Sequence, residues 1–280
     1  MTDFVAHPEQ GLAWVTGASS GIGRALALRL ARDGFDVAVT ARDHEKLVQL
    51  QREAPGPGKI IVLDGDVTDA RDMERVLASI EYEHGAMALT VLNAGVSIPI
   101  HGEDMHREDF EKSFAVNVHG TVNCLLPAVR HMQARGHGQI AIVCAVAGYG
   151  GLPTGAAYGA TKAALINMAE SLKFDLDKAG IRLQIINPGF VATAETATNT
   201  FSMPALISAE VAADRIVSGL KSGGFEITFP KRFTYMMKLL RFLPYGAYFW
   251  LLNRLTGWKD RPLVTPRPAA KAMARDPQAV

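Results

Sequence analysis

The predicted fold is decided by the stretch Leu12-Ala-Trp-Val-Thr-Gly-Ala-Ser-Ser-Gly-Ile-Gly23. Its first five residues form an apolar run typical of a buried strand, and a helical pattern over residues 22–32 follows. Glycines let a backbone turn sharply and approach a pyrophosphate, which then binds at the N-terminus of the next helix. The alternative is an ordinary glycine-rich turn. We expect dinucleotide contacts from Gly17, Ser19, Ser20, Gly21, Ile22 and Gly23.

The same alternation of apolar runs and amphipathic segments continues along the chain. Strand-like runs lie at residues 12–16, 36–40, 60–63, 89–92, 140–144, 183–186 and 226–229. Helical patterns occupy residues 22–32, 45–52, 71–83, 108–133, 157–178 and 209–221. Strands that are apolar on both faces and alternate with helices indicate a parallel sheet covered on both sides. We therefore predict an α/β fold, a doubly wound, Rossmann-like parallel sheet of about seven strands with helices on both faces.

Composition narrows the class of protein. The chain has 280 residues, of which 48% are hydrophobic and 20% charged, which is typical of a globular protein. The net charge of +1 gives no reason to expect nucleic acid as a partner. Cys124 and Cys144 lie in apolar surroundings and are interpreted as free thiols of a reducing compartment. The N-terminus lacks the features of a secretory signal, so a cytoplasmic location is expected, and no metal site is predicted.

A second motif, Tyr158-Gly-Ala-Thr-Lys162, lies in the helical pattern of residues 157–178. Residues four apart on a helix project from one face, so Tyr158 and Lys162 are expected to be neighbours. A neighbouring ammonium favours the ionised form of a tyrosine, which lets the hydroxyl exchange a proton more readily. This spacing is common by chance. Combined with the glycine turn, it indicates hydride transfer to or from a carbonyl, with Tyr158 handling the proton.

The end of the second strand predicts the choice of coenzyme. A carboxylate there would indicate NAD, because it binds the ribose hydroxyl. The sequence is Val39-Thr-Ala-Arg-Asp43. Ala41 removes the acid that would repel a 2′-phosphate, and Arg42 offers a planar guanidinium that can bind one, so NADP(H) is favoured over NAD(H). The alternative is that Arg42 is a solvated loop charge and Asp43 caps the helix at Glu45.

With these motifs in order, the chain resembles the short-chain dehydrogenase/reductase family with Thr-Gly-x-x-x-Gly-x-Gly and Tyr-x-x-x-Lys motifs, over roughly residues 10–230. The resemblance implies that Asp66 and Val67 face the adenine. It implies that Asn117 holds a water in a proton relay and that Lys162 also binds the nicotinamide ribose. Further cofactor contacts implied by the resemblance are Asn93, Ala94 and Gly95 at the fourth strand, and Pro188, Gly189, Val191 and Thr193 after the sixth.

One position departs from the family pattern. The usual active-site serine lies thirteen residues before the tyrosine, and that count leads to Ala145. Alanine cannot hydrogen-bond a carbonyl. The side chain of Cys144 is expected on the opposite face of the strand, and Thr154 could reach the site only through an unusual loop. Loss of one oxyanion donor in acyl transfer lowers turnover on the order of 10²–10³-fold, so impaired catalysis is expected.

The first hypothesis is an NADP(H)-dependent carbonyl reductase or alcohol dehydrogenase for an apolar or bulky small-molecule substrate. The alternative is a cofactor-binding member with little turnover, serving as a scaffold or sensor, or an engineered inactive variant. A sugar-nucleotide epimerase is more distant, since its relatives carry another glycine spacing. We expect a substrate lid at residues 194–208, with a mobile cover of Phe201, Met203, Leu206 and Ile207. In this segment Glu195 is interpreted as a solvated acid.

The domain prediction divides the chain into an NADP(H)-binding catalytic domain at residues 1–230, an apolar helical extension at 231–258 and a disordered tail at 259–280. Two short helices with a shared apolar face are expected over residues 233–258. Three roles remain open for them: core or dimer packing, a wall of the substrate pocket, or peripheral contact with a membrane surface. The resemblance implies a homodimer or homotetramer through residues 108–133 and 157–178.

Overall fold

The computed structural model describes residues 2–194, 196 and 203–265. Its strands are β1 (Leu12–Thr16), β2 (Val37–Thr40), β3 (Ile60–Val62), β4 (Met87–Leu92), β5 (Gly138–Val143), β6 (Ile181–Pro188), β7 (Val191–Ala192), β8 (Ile207–Ser208) and β9 (Glu226–Phe229). Seven strands of this described part form one parallel sheet in the order β3-β2-β1-β4-β5-β6-β9. The remaining two, β7 and β8, pair with each other. The predicted seven-stranded α/β sheet is confirmed.

Helices connect the strands. Those of the described residues are α1 (Gly21–Arg32), α2 (His44–Arg52), α3 (Ala70–Ser79), α4 (Arg107–Phe114), α5 (Gly120–Arg135), α6 (Ala156–Lys178), α7 (Ala209–Leu220), α8 (Lys231–Leu240) and α9 (Tyr245–Thr256). A π-helical turn at Ala115–His119 joins α4 to α5, so the helix predicted at residues 108–133 is continuous but carries a π-bulge. A similar turn at Ile80–His84 extends α3.

The core lies on both faces of the sheet because side chains of a strand alternate. In β1, Ala13 and Val15 pack among the residues of α1 and α7, and Leu12 and Trp14 pack on the other face. Strand order reverses between β1 and β4, whose following helices cover opposite faces. The carboxyl ends of these two strands therefore form the crevice where open α/β sheets bind their ligands.

Three strands begin earlier than the apolar runs predict. The predicted starts are residues 89, 140 and 183, whereas β4 begins at Met87, β5 at Gly138 and β6 at Ile181. The extension of β5 contains the buried Gln139, whose side chain donates to that of Gln184 at 2.7 Å, and the extension of β6 contains the buried Arg182, which donates to the carbonyl oxygen of Phe4 at 3.1 Å. Because these polar side chains find partners inside the protein, they are accommodated in buried strands and the apolar pattern fails there.

The two short C-terminal helices are present as predicted. One side of α8 and α9 packs Met237, Leu240, Tyr248 and Leu252 against Val146 and Tyr149, which follow β5. Within the described part of the chain, no helix is both long enough and apolar enough to cross a membrane.

Beyond α9, Arg261 forms an ion pair with Glu103 at 2.7 Å. The first part of the predicted tail, residues 259–265, is therefore in contact with the folded domain through Arg261. Residues 266–280 lie outside the described residues. Glu195 and Phe201 of the predicted lid also lie outside them.

Candidate active site

The glycine turn after β1 packs directly against the end of β4. Gly17 has φ +67°, and a Cβ there would lie 2.7 Å from the Cα of Ala94. At Gly23 a Cβ would lie 2.4 Å from the carbonyl oxygen of Gly17. These distances are too short for any side chain, so the turn requires glycine at both positions. The tight turn leaves backbone, not side chains, facing the crevice between β1 and β4.

Hydrogen bonds fix this turn to the fourth strand. The hydroxyl of Thr16 accepts from the backbone amides of Asn93 and Ala94 at 3.0 and 3.1 Å. The side-chain amide of Asn93 donates to the carbonyl oxygens of Thr16 and Gly17. The predicted segment Asn93-Ala94-Gly95 therefore lies beside the glycine turn, where the side chain of Asn93 braces the backbone.

The N-terminus of α1 fits an anionic group such as a pyrophosphate. Ser20 occupies the N-cap position, and its side chain makes no capping hydrogen bond to the helix among the described residues. The first-turn amides that a cap would satisfy thus remain available for a ligand. Ser19 and Ile22 are half-buried beside it, and Gly21 takes the left-handed conformation at φ +53°. The residues predicted around the turn therefore fit a dinucleotide.

At the end of β2, Arg42 is exposed, and Asp43 has a structural role. The carboxylate of Asp43 accepts from the backbone amide of Lys46 at 3.1 Å and so caps α2, which begins at His44. The side chain and backbone amide of Lys46 hold the pKa of the Asp43 carboxyl below its usual value. The predicted cap is confirmed, one residue earlier than expected. With Asp43 engaged in the cap and Ala41 before it, the guanidinium of Arg42 is exposed at the end of β2.

At the end of β3, Asp66 binds its own loop and Val67 is buried. The carboxylate of Asp66 accepts from the amide and hydroxyl of Thr68 at 2.9 and 2.8 Å. Val67 packs against Gly120, where a Cβ would lie 2.8 Å from one of its methyl groups. Their contacts with an adenine stay a prediction.

Tyr158 and Lys162 lie in the first two turns of α6, as their spacing predicts. The ammonium nitrogen of Lys162 is 5.6 Å from the centre of the Tyr158 ring and donates to the carbonyl oxygen of Val143 at 2.8 Å. Lys162 is buried, whereas Tyr158 is half-buried. A Cβ at Gly95 would lie 3.5 Å from that ammonium nitrogen, so the pair reaches the same crevice as the glycine turn.

Asn117 lies in the π-helical turn and is fully buried. Its side-chain oxygen accepts from the amide of Val96 at 2.8 Å, and its nitrogen donates to the hydroxyl of Thr161 at 3.0 Å. Thr161 in turn donates to the carbonyl oxygen of Tyr158 at 2.7 Å. Asn117 thus connects the loop after β4 to the turn of α6 that carries Tyr158. The predicted water relay through Asn117 remains a prediction.

Ala145 follows β5 and is buried, and neither neighbour supplies the missing hydroxyl. Cys144 lies in the core cluster beneath α5 and α6. Burial raises the pKa of the Cys144 thiol to about 12, with the charge of Lys162 opposing the rise, so the thiol stays protonated. The hydroxyl of Thr154 donates to the carbonyl oxygen of Pro153 at 2.7 Å.

The segment after β6 returns to the glycine turn. The backbone amide of Gly189 donates to the carbonyl oxygen of Phe229 at 2.8 Å, which fixes Pro188-Gly189 against β9. Val191 is buried in β7. A Cβ at Gly21 would lie 3.0 Å from a side-chain carbon of Thr193, so Thr193 covers the glycine turn. The predicted Pro188–Thr193 contacts therefore lie on the same crevice as Gly17–Gly23.

A polar cluster that the sequence patterns do not predict lies behind this site. The carboxylate of Glu226 accepts hydrogen bonds from the side-chain amide of Asn187, at 2.7 Å, and from the hydroxyl of Tyr149. It also forms an ion pair with Lys238. The cluster joins the loop after β5, the end of β6, the start of β9 and α8. No spacing links four residues so far apart in the chain. The one sequence signal that could have pointed to this cluster is Asn187, a polar residue directly before Pro188-Gly189.

The charges of this cluster are set by competing effects. Burial alone would raise the pKa of Glu226, but hydrogen bonds from Lys238, Tyr149 and Asn187 outweigh it and lower that pKa. Burial and the same carboxylate raise the pKa of Tyr149. Glu226 is therefore ionised and Tyr149 neutral. The arrangement fixes α8 to the end of β6 and the start of β9.

Comparison with known proteins agrees with this geometry. Residues 12–203 match the family described as short chain dehydrogenase. An uncharacterized oxidoreductase of Myxococcus xanthus strain DK1622 is 37% identical over 245 residues, covering 87% of this chain and 96% of that protein. The 3-oxoacyl-[acyl-carrier-protein] reductase of Mycobacterium bovis is 34% identical over 182 residues, covering 65% of this chain and 70% of that protein.

The structure is similar to the crystal structure of a 3-ketoacyl-ACP reductase from Sinorhizobium meliloti 1021. The TM-score is 0.70 at 28% identity, over 78% of this chain and 96% of the other. The chain therefore belongs to the short-chain dehydrogenase/reductase family. It is an oxidoreductase whose fold binds a nicotinamide cofactor.

Proposed function

We propose that the chain is an NADP(H)-dependent carbonyl reductase or alcohol dehydrogenase whose turnover is lowered by Ala145. The observation that carries the proposal is the position of Tyr158 and Lys162 at the crevice of the glycine turn, with Lys162 5.6 Å from the tyrosine ring. The two relatives named as reductases of a ketoacyl group support the reducing direction.

Each residue has a defined part in this reaction. The bound nicotinamide would supply the hydride, or accept it in the reverse reaction. Tyr158 donates its hydroxyl proton to the carbonyl oxygen of the substrate, and the ammonium of Lys162 stabilises the tyrosinate that remains. Asn117, through Thr161, holds the first turn of α6 in place for this transfer. Proton return from solvent through a water held near Asn117 completes the relay.

NADP(H) is favoured over NAD(H) by the charges around Arg42. Its guanidinium is exposed at the end of β2, and Asp43 is engaged as the cap of α2. A ribose 2′-phosphate would therefore meet the positive charge of Arg42, and the adjacent carboxylate of Asp43 is already bound to α2. A preference for NADPH also fits carbonyl reduction as the physiological direction.

An apolar or bulky substrate is proposed from the apolar side chains of the segment expected to cover the site. Met203 and Leu206, with Ile207 in β8, belong to the proposed lid over the substrate.

Homo-oligomerisation and a cytoplasmic location complete the proposal. The exposed apolar side chains of Leu126 on α5 and Phe174 on α6 lie on the helices through which dimers or tetramers are expected. Cys124 and Cys144 are both free and buried, which fits a reducing compartment.

The proposed activity is tested by following NADPH oxidation with a panel of aliphatic and aromatic ketones. We expect slow, ketone-dependent turnover that Tyr158→Phe lowers by at least about 10²-fold while NADPH binding persists. Tyr82→Phe, at an exposed tyrosine far from the site, is the matched control. The non-catalytic alternative would be supported instead if the protein binds NADPH but reduces none of the ketones, and if the Ala145→Ser variant behaves in the same way.

A further inference from the structure

Helices α8 and α9 have a second apolar side, which is exposed. Ten of the seventeen large apolar side chains that are exposed among the described residues lie between Tyr235 and Leu263. We name as the C-terminal apolar surface the nine of them in α8, α9 and the turn between: Tyr235, Met236, Leu239, Phe242, Leu243, Tyr245, Phe249, Trp250 and Leu255. Exposed apolar patches of this kind mark interaction sites.

The members of this surface lie together. On α8, Tyr235 and Leu239 are one turn apart, and Phe242 follows in the same direction. On α9, the rings of Tyr245 and Phe249 stack at 6.0 Å. Between the two helices lie the most exposed side chains of this surface, Phe242 at 84% and Tyr245 at 80%. The apolar side therefore continues from one helix to the next.

Basic residues surround the same surface. Seven lie between Lys231 and Arg261, against the single acid Asp260, so this segment carries a formal charge of +6 in a chain of net charge +1. Lys238 and Arg261 are bound to Glu226 and Glu103. Among the described residues, Lys231, Arg232, Arg241 and Lys259 have no carboxylate within ion-pair distance. Because these positive charges lie beside exposed aromatic rings, the C-terminal apolar surface is suited to a partner that is both anionic and apolar.

Two partners within the protein itself fit this requirement poorly. A second copy placed across a two-fold axis would bring the same basic residues against one another, which is repulsive. Residues 266–280 contain three basic residues and one acid, so they also have the wrong charge. An anionic lipid bilayer satisfies both requirements, because its headgroups bind cations and its acyl boundary accepts aromatic and aliphatic side chains.

We propose that the C-terminal apolar surface docks the enzyme on anionic lipid membranes. The aromatic side chains enter the headgroup region, while Lys231, Arg232 and Arg241 bind lipid phosphates. Their stems lie along the apolar boundary. The ion pair of Lys238 fixes α8 to the folded domain, and α9 packs Tyr248 and Leu252 on the same domain, so docking requires no rearrangement of the catalytic site.

Flotation of the full-length protein with vesicles tests this proposal independently of turnover. We expect it to float with vesicles of phosphatidylcholine and phosphatidylserine at 7:3, weakly with phosphatidylcholine alone, and less at high salt. The double variant Phe242→Ser and Trp250→Ser should weaken partitioning about tenfold or more. Tyr82→Ser with Met105→Ser, two exposed apolar side chains elsewhere, should leave it unchanged.

The charge contribution has its own variant. Lys231→Gln with Arg241→Gln should weaken binding to the anionic vesicles by about fivefold for each charge removed. Arg32→Gln with Arg71→Gln removes two exposed charges elsewhere and should have little effect. Trp250 fluorescence should shift to the blue and resist acrylamide on the vesicles, and the Trp250→Phe variant should lose most of this change.

Three outcomes would overturn the proposal. They are absence of flotation with either vesicle, equal flotation of the surface and control variants, and dissociation of a protein dimer by the Phe242 and Trp250 changes without lipid binding. The last, seen by sedimentation velocity, would assign the surface to contact between copies of the chain. Circular dichroism confirms that each variant is folded before it is scored.

Discussion

The ammonium nitrogen of Lys162 lies 5.6 Å from the centre of the Tyr158 ring, held there by the carbonyl oxygen of Val143. Because Lys162 is buried, its charge is weakly screened by solvent and acts strongly on its surroundings. The hydrogen bond to the carbonyl oxygen of Val143 uses one of the three donors of this ammonium group.

Lys162→Met should disfavour the tyrosinate and so impair alcohol oxidation at neutral pH by about 10²-fold. Ketone reduction starts from the protonated tyrosine and should fall less. Both rates are best measured in a background with serine at position 145, with Lys178→Met, on the exposed end of α6, as control. An equal loss in both directions would contradict an electrostatic role for Lys162.

Replacement of Ala145 by serine should raise turnover about 10²–10³-fold, because it restores a hydrogen-bond donor for the substrate carbonyl. Steady-state NADPH oxidation measures this gain. Ala147→Ser adds a hydroxyl two residues away and should give no increase. Equal, robust rates in the unaltered protein and the Ala145→Ser variant would refute impairment by this alanine.

Arg42→Leu should weaken NADPH binding about 10- to 100-fold and leave NADH binding nearly unchanged, since the guanidinium is expected to bind only the 2′-phosphate. Quenching of intrinsic fluorescence gives both dissociation constants. Arg52→Leu, at the far end of α2, provides a charge-matched control. A similar loss for both coenzymes would remove the phosphate-binding role of Arg42.

Gly23→Ala should abolish most cofactor binding and lower the thermal midpoint, because its Cβ would lie 2.5 Å from the side-chain nitrogen of Asn93. Gly102→Ala is the matched control, since no atom lies within 4 Å of the added methyl. Calorimetry with and without NADPH separates the two effects. Retained NADPH stabilisation in Gly23→Ala would show that the turn tolerates a side chain.

Glu226→Gln should lower the free energy of unfolding by about 1–3 kcal/mol at pH 7, because Lys238 loses its carboxylate. Folding lowers the pKa of Glu226, so its contribution is fully present above the unfolded value near 4.5 and is lost as the pH falls through the lower folded value. Urea titrations at pH 7 and pH 4 should therefore show the variant approaching the native protein in acid. The control Glu108→Gln, at an exposed acid, should show no such convergence. If the difference in free energy of unfolding between Glu226→Gln and the unaltered protein is the same at both pH values, the ionised carboxylate is not its cause.

The sheet could be predicted because its signals are local. Apolar runs and helical periods lie within ten to twenty residues, and turn residues such as Gly17, Asn93 and Pro230 directly follow several strands. Gln139 shows the limit of this reasoning, since its burial at the start of β5 depends on a hydrogen bond to Gln184 of the neighbouring strand. A polar residue at a strand end is ambiguous until its neighbour across the sheet is known.

The candidate site divides in the same way. Tyr158 and Lys162 were predictable because a single helix sets their spacing. The helix cap at Asp43 was predictable because a cap is a local contact, although α2 begins at His44, one residue earlier than predicted. The side chains of Glu226 and Lys238 could not be paired from sequence, because β9 and α8 become neighbours of Tyr149 only after the sheet and its covering helices have formed.

The sequence by itself determined the glycine turn, the order of strands and helices, the position of Tyr158 and Lys162, and the absence of a hydroxyl at Ala145. These depend on residue type and short spacing. Only the tertiary structure decided that Thr193 covers Gly21, that Asn117 connects Val96 to Thr161, and that α8 and α9 bury one apolar side and expose the other. Such contacts join distant segments, and the direction of each side chain there is set by packing across the whole sheet.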